Sequence, residues 1–395
     1  MRFMRACVPL GYAWSSPFAR WQGPLAEVSS LDLAVLVSGR ALEDRGLPAT
    51  EISQLVLGWT VPQPEIFYGA PTLAARLGAV GATGPMIGQA CATSVACVRA
   101  AAAAVDAGEG LTLVVTTDRT SNGPHVVYPA PSAPGGTVQA ENWVMDNFNR
   151  DPWAGRPMIG TAEHVAAQEG ITRQETDDVT LMRYQQYQAA LAEDRSFQRH
   201  YMIPVELPMR RGDPRIVDAD VGVYPTTAEG LAKLAPLDPQ GVVTYGSQTH
   251  PADGCAGMVV TDEVRARDLS GGGIVRLLGS GVARVGKAEM AKAPVPAARA
   301  ALDAAGLAID DVDAVVTHNP FAVNDVYFAR QTGYPLERMN LYGCSLIYGH
   351  PQGPTGARGI TELIWTLVER GGGVGLFTGC AAGDTGAALV LRVED

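Results

Sequence analysis

The sequence is poor in several features that would mark a function. None of its six cysteines (Cys7, Cys91, Cys97, Cys255, Cys344 and Cys380) forms a CxxC pair, so neither a zinc ribbon nor a disulfide framework is indicated, and a reducing compartment is. No apolar run reaches the roughly 18 residues that a bilayer span needs, because Arg99 and Asp106 cut the alanine-rich stretch 100–105. The first residues, MRFMRACVPLGYAWSS, have no apolar core of signal-peptide length, and the expected location is the cytoplasm. No dense Lys/Arg cluster relieves a formal net charge of −11, which argues against a nucleic-acid partner. Charged residues make up only 18% of the 395 positions and apolar ones 47%, the balance of a chain folded throughout. That length suggests two or three packed units.

What is present is a duplication. ALEDRGLPATEISQLVLG begins at Ala41 and ALDAAGLAIDDVDAVVTH at Ala301, an offset of 301 − 41 = 260. Under it Leu42, Gly46, Leu47, Ile52 and Val56 meet Leu302, Gly306, Leu307, Val312 and Val316. Each copy predicts an amphipathic helix, a glycine stop, a short acidic loop and an apolar strand. Two βαβ-rich halves follow: 1–118, completed by 242–268, and 269–395. The stretch 119–241 is richer in Pro, Asn, Arg, Tyr and Trp and reads as an insertion that binds ligand or covers the site. It predicts a helix at AEHVAAQEG and a longer one capped by Thr172.

The same offset carries Cys91 to Pro351, within the loop YGHPQGPTGAR. A pseudo-twofold axis would therefore bring His350 of one half against Cys91 of the other. Cys91 stands where a strand turns into a helix, a placement that favours thiolate, although a buried inert cysteine fits the composition equally well. Cys97, inside the alanine-rich helix, reads as packing. His350 is the group that would activate the Cys91 thiol. Cys380 lies where an apolar strand meets a small-residue turn, and His318 ends a predicted strand, where ligands of α/β proteins commonly bind. His125, His164 and His200 read as solvated or structural.

Five ordered segments resemble the thiolase family: QACATSVACVRAA, MIGTAEHVAAQEGITRQETDDVTLMR, GLAKLAPLDPQGVVTYGSQTHPADGCAGMVV, YGHPQGPTGAR and GCAAGDTGAALV. The resemblance implies a five-layer αβαβα core of two duplicated halves with an inserted loop domain that binds CoA. It implies an acyl-CoA C-acyltransferase of fatty-acid or lipid metabolism that cleaves a 3-ketoacyl-CoA, or runs the reverse Claisen condensation, through an acyl-cysteine. Carried over by position, Cys91 is the nucleophile, His350 its base and Cys380 the acid/base. The backbone N–H groups of Cys91 and Ala382 form one oxyanion hole, and His350 with His318 the other. Met158, Ser247, Thr249 and Phe321 would line the acyl-CoA tunnel, with no metal and no cofactor beyond the CoA substrate.

Departures are also visible. HNPF puts His318 where many thiolases have the Asn of Asn-Glu-Ala-Phe, a change similar to the sterol-carrier type. CAAGD has Ala382 at a common glycine position, VVTTDRTSN replaces a glycine-rich strand end, and Tyr224 stands at a frequent arginine position. The resemblance further implies a homodimer or homotetramer, with a small accessory protein as one further partner. Alternatives are a decarboxylating ketosynthase-like enzyme, against which the retained Cys380 argues, and a non-catalytic acyl-CoA- or lipid-binding subunit of the same fold.

Overall fold

A computed structural model describes residues 1–209 and 211–394. Eleven strands form one hydrogen-bonded sheet with a central seam. On one side of the seam run Ala6–Pro9, Ala252–Asp262, Thr112–Arg119 and Gln54–Gly58. On the other run Ile274–Arg284, Thr385–Glu394, Gly373–Ala381 and Ala314–His318. In each half the outer two of these strands are parallel and the rest antiparallel. Three register pairs, Cys7 with Arg276, Val8 with Val275 and Pro9 with Ile274, join the halves. The short strand Met86–Ile87 pairs outside Gln54–Gly58, and Ala13–Ser15 and Ala19–Arg20 pair with Ala252–Asp262.

The repeat seen in the sequence is repeated in the elements. Helix Ser30–Asp44 stops before Gly46 at φ +59°, and helix Pro294–Ala305 before Gly306 at φ +73°. Both turns use the left-handed conformation that glycine adopts without steric cost. A 3-10 turn follows at Ala49–Glu51 and Ile309–Asp311, then the strands at 54 and 314, again 260 residues apart.

Burial defines the layers. Helices Thr93–Asp106 and Thr355–Val368 share one apolar cluster with the inner faces of both sheet halves, including Val56, Val114, Val316 and Phe377. Twelve of the fourteen residues of the second helix are buried, so it lies in the middle of the molecule. Outside, the 30–44 helix packs on the first half and the 294–305 helix on the second, completing five layers, αβαβα. The alanine-rich character of the 93–106 helix follows from this position. Cys97 is wholly buried, and a Cβ on Gly58 would come within 2.7 Å of its sulfur.

Between the strands ending at Arg119 and starting at Ala252 lie helices Met158–Glu169 and Arg173–Ala190. The first stops at Gly170 in the left-handed conformation. Thr172 caps the second through a reciprocal capping box with Glu175, as its spacing predicts. Buried charge ties this stretch to the core. Asp220 accepts two hydrogen bonds from Arg358, at 2.6 and 2.8 Å, and Arg183 pairs with Asp325 at 2.8 Å. Removing one partner of such a pair strands the other in a low-dielectric interior.

Candidate active site

Cys91 is set by a strained turn. Ala90 takes φ +44°, a conformation costly for a residue with a Cβ, and Thr93 holds it there. The Thr93 hydroxyl donates to the Ala90 carbonyl at 2.7 Å and accepts from the Gln89 N–H at 2.8 Å. The helix begins only at Thr93, with Cys91 two residues ahead of it at the floor of a cavity of about 720 Å³.

The loop of the other half meets it there. His350 Nε2 lies 3.1 Å from Cys91 Sγ. His350 Nδ1 lies 2.6 Å from Thr355 Oγ1, which is itself 2.7 Å from the carbonyl of Pro351. That carbonyl accepts only, so the Thr355 hydroxyl donates to it and must accept from Nδ1–H. The tautomer is thereby fixed: Nδ1 carries the proton, and the Nε2 lone pair faces the thiol. The loop is anchored twice more, by the His350 N–H on the His250 carbonyl at 2.9 Å and by the Ser94 hydroxyl on the Gly353 carbonyl.

His318 stacks on His350 with ring centroids 4.0 Å apart and an interplanar angle of 28°. Its Nδ1 is 3.0 Å from Ser345 Oγ, while Nε2 is buried and has no hydrogen-bond partner. The ligand atoms of Cys91, His318 and His350 all lie within 4.8 Å of one another. Cys380 is buried nearby and receives a hydrogen bond from Asn324 Nδ2 at 3.2 Å.

Electrostatics set the resting protonation. Burial pushes the Cys91 thiol up to about 12, against the pull of the backbone N–H groups of Ala382 and Cys91 itself. A helix start was expected to favour thiolate here; desolvation wins because the sulfur is shut in between the halves. Burial also holds His350 well below its ordinary value, with His318 adding to the effect, and burial pushes His318 down to about 3. Cys380 is raised, first by burial and next by its proximity to Cys91. At neutral pH the group is a set of uncharged thiols and imidazoles.

The cavity wall includes Met158, Thr249 and Phe321, but not Ser247. Ser247, expected from the sequence along the tunnel, stands behind the wall for a local reason. Ser247 is fully buried and its hydroxyl turns inward to accept from the Thr244 N–H at 2.9 Å. Its backbone carbonyl instead accepts from the Ala322 N–H at 2.9 Å, and Thr249 N–H donates to the Pro320 carbonyl at 2.7 Å, seating the segment against Phe321. His318 and Cys380 stand behind the wall rather than on it, with Ala382 beside them at the surface of the cavity.

Four residues of the site escaped the sequence reading: Thr355, Asn324, Ser345 and Asp118. Asp118 accepts from Thr60 N–H and Oγ1, Val61 N–H and Gly353 N–H at 2.6 to 3.0 Å, pinning the His350 loop to the first half. Its replacement of a glycine-rich strand end was the one available signal. The wall is mainly apolar and aromatic, with Trp21, Trp143, Phe148 and Met290, and carries the amides of Asn147, Asn149, Gln248 and Gln352 and the carboxylate of Glu141.

Family models for the N-terminal and C-terminal domains of thiolase match residues 12–264 and 274–393. The chain belongs to the thiolase family. Among its relatives, the acetyl-CoA acetyltransferase of Chromobacterium violaceum is 30% identical over 94% of this chain and 95% of its own length. That of Pseudomonas aeruginosa is 29% identical over the same shares. The β-ketoadipyl-CoA thiolase of Acinetobacter baylyi is 27% identical over 95% of this thiolase chain and 97% of its own. The crystal structure of the Bacillus anthracis acetyl-CoA acetyltransferase superposes with a TM-score of 0.90 over the whole of both chains, at 25% identity. Human mitochondrial 3-ketoacyl-CoA thiolase in complex with CoA gives 0.90 at 24% identity, over 100% of this chain and 99% of that one, and supports the fold.

Proposed function

We propose that this thiolase is an acyl-CoA C-acyltransferase working through an acyl group on Cys91, and that it acts in the thiolytic direction on a 3-ketoacyl-CoA. The observation that carries the reading is the 3.1 Å contact between Cys91 Sγ and a His350 Nε2 whose tautomer Thr355 fixes. As the sulfur attacks the 3-keto carbon, its proton passes to His350 Nε2, so a thiol with a high resting pKa becomes nucleophilic only in the reaction. The N–H groups of Cys91 and Ala382 stabilise the tetrahedral oxyanion.

Cleavage of the C2–C3 bond leaves the acyl group on Cys91 and releases the enolate of acetyl-CoA. His350, now carrying Nε2–H, and His318 face the enolate oxygen, and the Cys380 thiol protonates its carbon. CoA thiol then takes the acyl group from Cys91. Asn324 orients Cys380 and stabilises the thiolate left behind. His318 in HNPF supports a likeness to the sterol-carrier type. Residues 119–241 are assigned to CoA binding, with Met158, Thr249 and Phe321 along the pantetheine. The six unpaired thiols favour a cytoplasmic enzyme. The exposed Phe67 and Tyr68, beside the edge strand Met86–Ile87, suit a homodimer or homotetramer.

Intact-mass measurement after incubation with a panel of acyl-CoA and 3-ketoacyl-CoA esters tests the reading. One acyl adduct, mapped to Cys91 and absent in Cys91→Ser, is expected; no adduct with any ester overturns it.

A further inference from the structure

We propose that Cys91 Sγ, His318 Nε2 and His350 Nε2 form a binding site for a borderline-soft divalent transition-metal ion, Zn²⁺ above all, and that its occupation silences the thiol. The inference goes beyond acyl transfer and does not depend on it. One sulfur and two imidazole nitrogens are the donor set that Zn²⁺ selects over hard cations. The three atoms lie within 4.8 Å of one another. Tetrahedral Zn²⁺, with bonds of about 2.3 Å to sulfur and 2.0–2.1 Å to nitrogen, needs ligand separations of about 3.4–3.6 Å. The widest separation therefore contracts by about 1 Å, within the reach of side-chain rotation.

Three further observations point to an ion. The two rings lie side by side, with centroids 4.0 Å apart, and one nitrogen of each is within 4.8 Å of the same sulfur. Each ring is held from behind, His350 Nδ1 by Thr355 Oγ1 and His318 Nδ1 by Ser345 Oγ, the outer contacts that orient metal-bound histidines. The Nε2 of His318, a side chain 1% exposed, is an unpartnered polar atom beside the sulfur, and a metal bond satisfies it.

The step balances simply. The Cys91 thiol loses its proton to solvent, the sulfur pair forms the S–Zn bond, and the site gains one net positive charge. The buried Asp118 carboxylate, which binds the His350 loop at the Gly353 N–H, offsets that charge. Cys91 and His350 line the cavity, which supplies the entry path and room for a water as fourth ligand.

The test uses the chelator-treated full chain and Co²⁺ as a spectroscopic probe. One equivalent should give a thiolate-to-cobalt charge-transfer band, which Zn²⁺ removes by competition. Zn²⁺ should also protect Cys91 from iodoacetamide, as read by peptide mass, and EDTA should restore alkylation. Cys91→Ser should lose the band, and Cys97→Ala should keep it. His318→Asn, which places the common family residue there, should weaken Zn²⁺ by at least about 10–100-fold while its melting temperature confirms folding. An absent band together with unchanged alkylation overturns the proposal, as does a band that survives Cys91→Ser. A chain that binds Zn²⁺ but is acylated by no thioester would refute the acyl-transfer reading alone.

Discussion

The two halves of the molecule carry the same elements and different chemistry. At the end of the strand Gln54–Gly58 stands a bare Gly58, packed against Cys97 and Thr93; 260 residues on, the same strand end carries His318. Thr112–Arg119 ends near Asp118, which binds four polar hydrogens of neighbouring loops; 262 residues on stands Cys380. The helix that follows one turn presents Cys91, and its counterpart presents His350. The first half therefore supplies one thiol, the proposed nucleophile, on a rigid mount, and the second supplies both imidazoles and the second thiol. Duplication built two facing rims of strand ends, and divergence divided the labour between them.

The sharpest way to break that division is at Cys380. Cys380→Ala should still be acylated on Cys91, yet lose exchange of the acetyl-CoA α-proton by about 10²–10⁴-fold, measured by deuterium incorporation. Acylation appearing on Cys380 would reverse the two roles. Next in size is Thr355→Val, which leaves His350 Nδ1–H without its acceptor and frees the tautomer. Cys91 acylation should slow by about 10–10²-fold with KM little changed, the rate cost of a misoriented base. Thr355→Ser should recover most of the rate, a rescue that a merely packing residue would not show.

Asp118 tests the structural side of the comparison. Asp118→Asn puts an NH₂ group against backbone N–H donors, and urea unfolding should show a loss of about 1–3 kcal/mol. Burial pushes the Asp118 carboxyl up to about 6, above the value of an exposed aspartate. The folded state thus binds the proton first, so Asp118's share of stability grows as pH falls from 7 towards 5 and is lost on returning upward. Asp118→Asn should remove that slope. The smallest effect belongs to Cys97→Ala, which should retain turnover and cost about 1 kcal/mol of packing.

How much of this was legible in the sequence depended on distance along the chain. Gly46 and Gly306, the 260-residue offset and the capping pair Thr172–Glu175 are local or periodic signals, and each has its place in the structure. The meeting of Cys91 with His350 was legible because the offset itself predicts it. Thr355 and Asn324 carry no such mark. Their roles exist only where a hydroxyl meets an imidazole across a loop, or an amide meets a thiol 56 residues away. Ser247 carries no mark of its surroundings in the sequence: it closes a turn on Thr244, which draws its hydroxyl inward, while Tyr245, Gln248 and Thr249 around it line the cavity. The thiol pKa was misjudged for another reason. Proximity to a helix start is visible in sequence, whereas enclosure between two halves is not.

The seam at Ala6–Pro9 also has a history in time. Both of its partners, Ala252–Asp262 and Ile274–Arg284, lie about 250 residues further along the chain and are synthesised later. At about 5–20 residues per second the ribosome needs roughly 12–50 s to deliver them. Throughout that interval an apolar strand that will become the centre of the enzyme has neither of its neighbours. Assembly of the catalytic pair, whose members are 259 residues apart, waits longer still. The middle of the finished sheet thus waits for more than half of the chain before either of its neighbours exists.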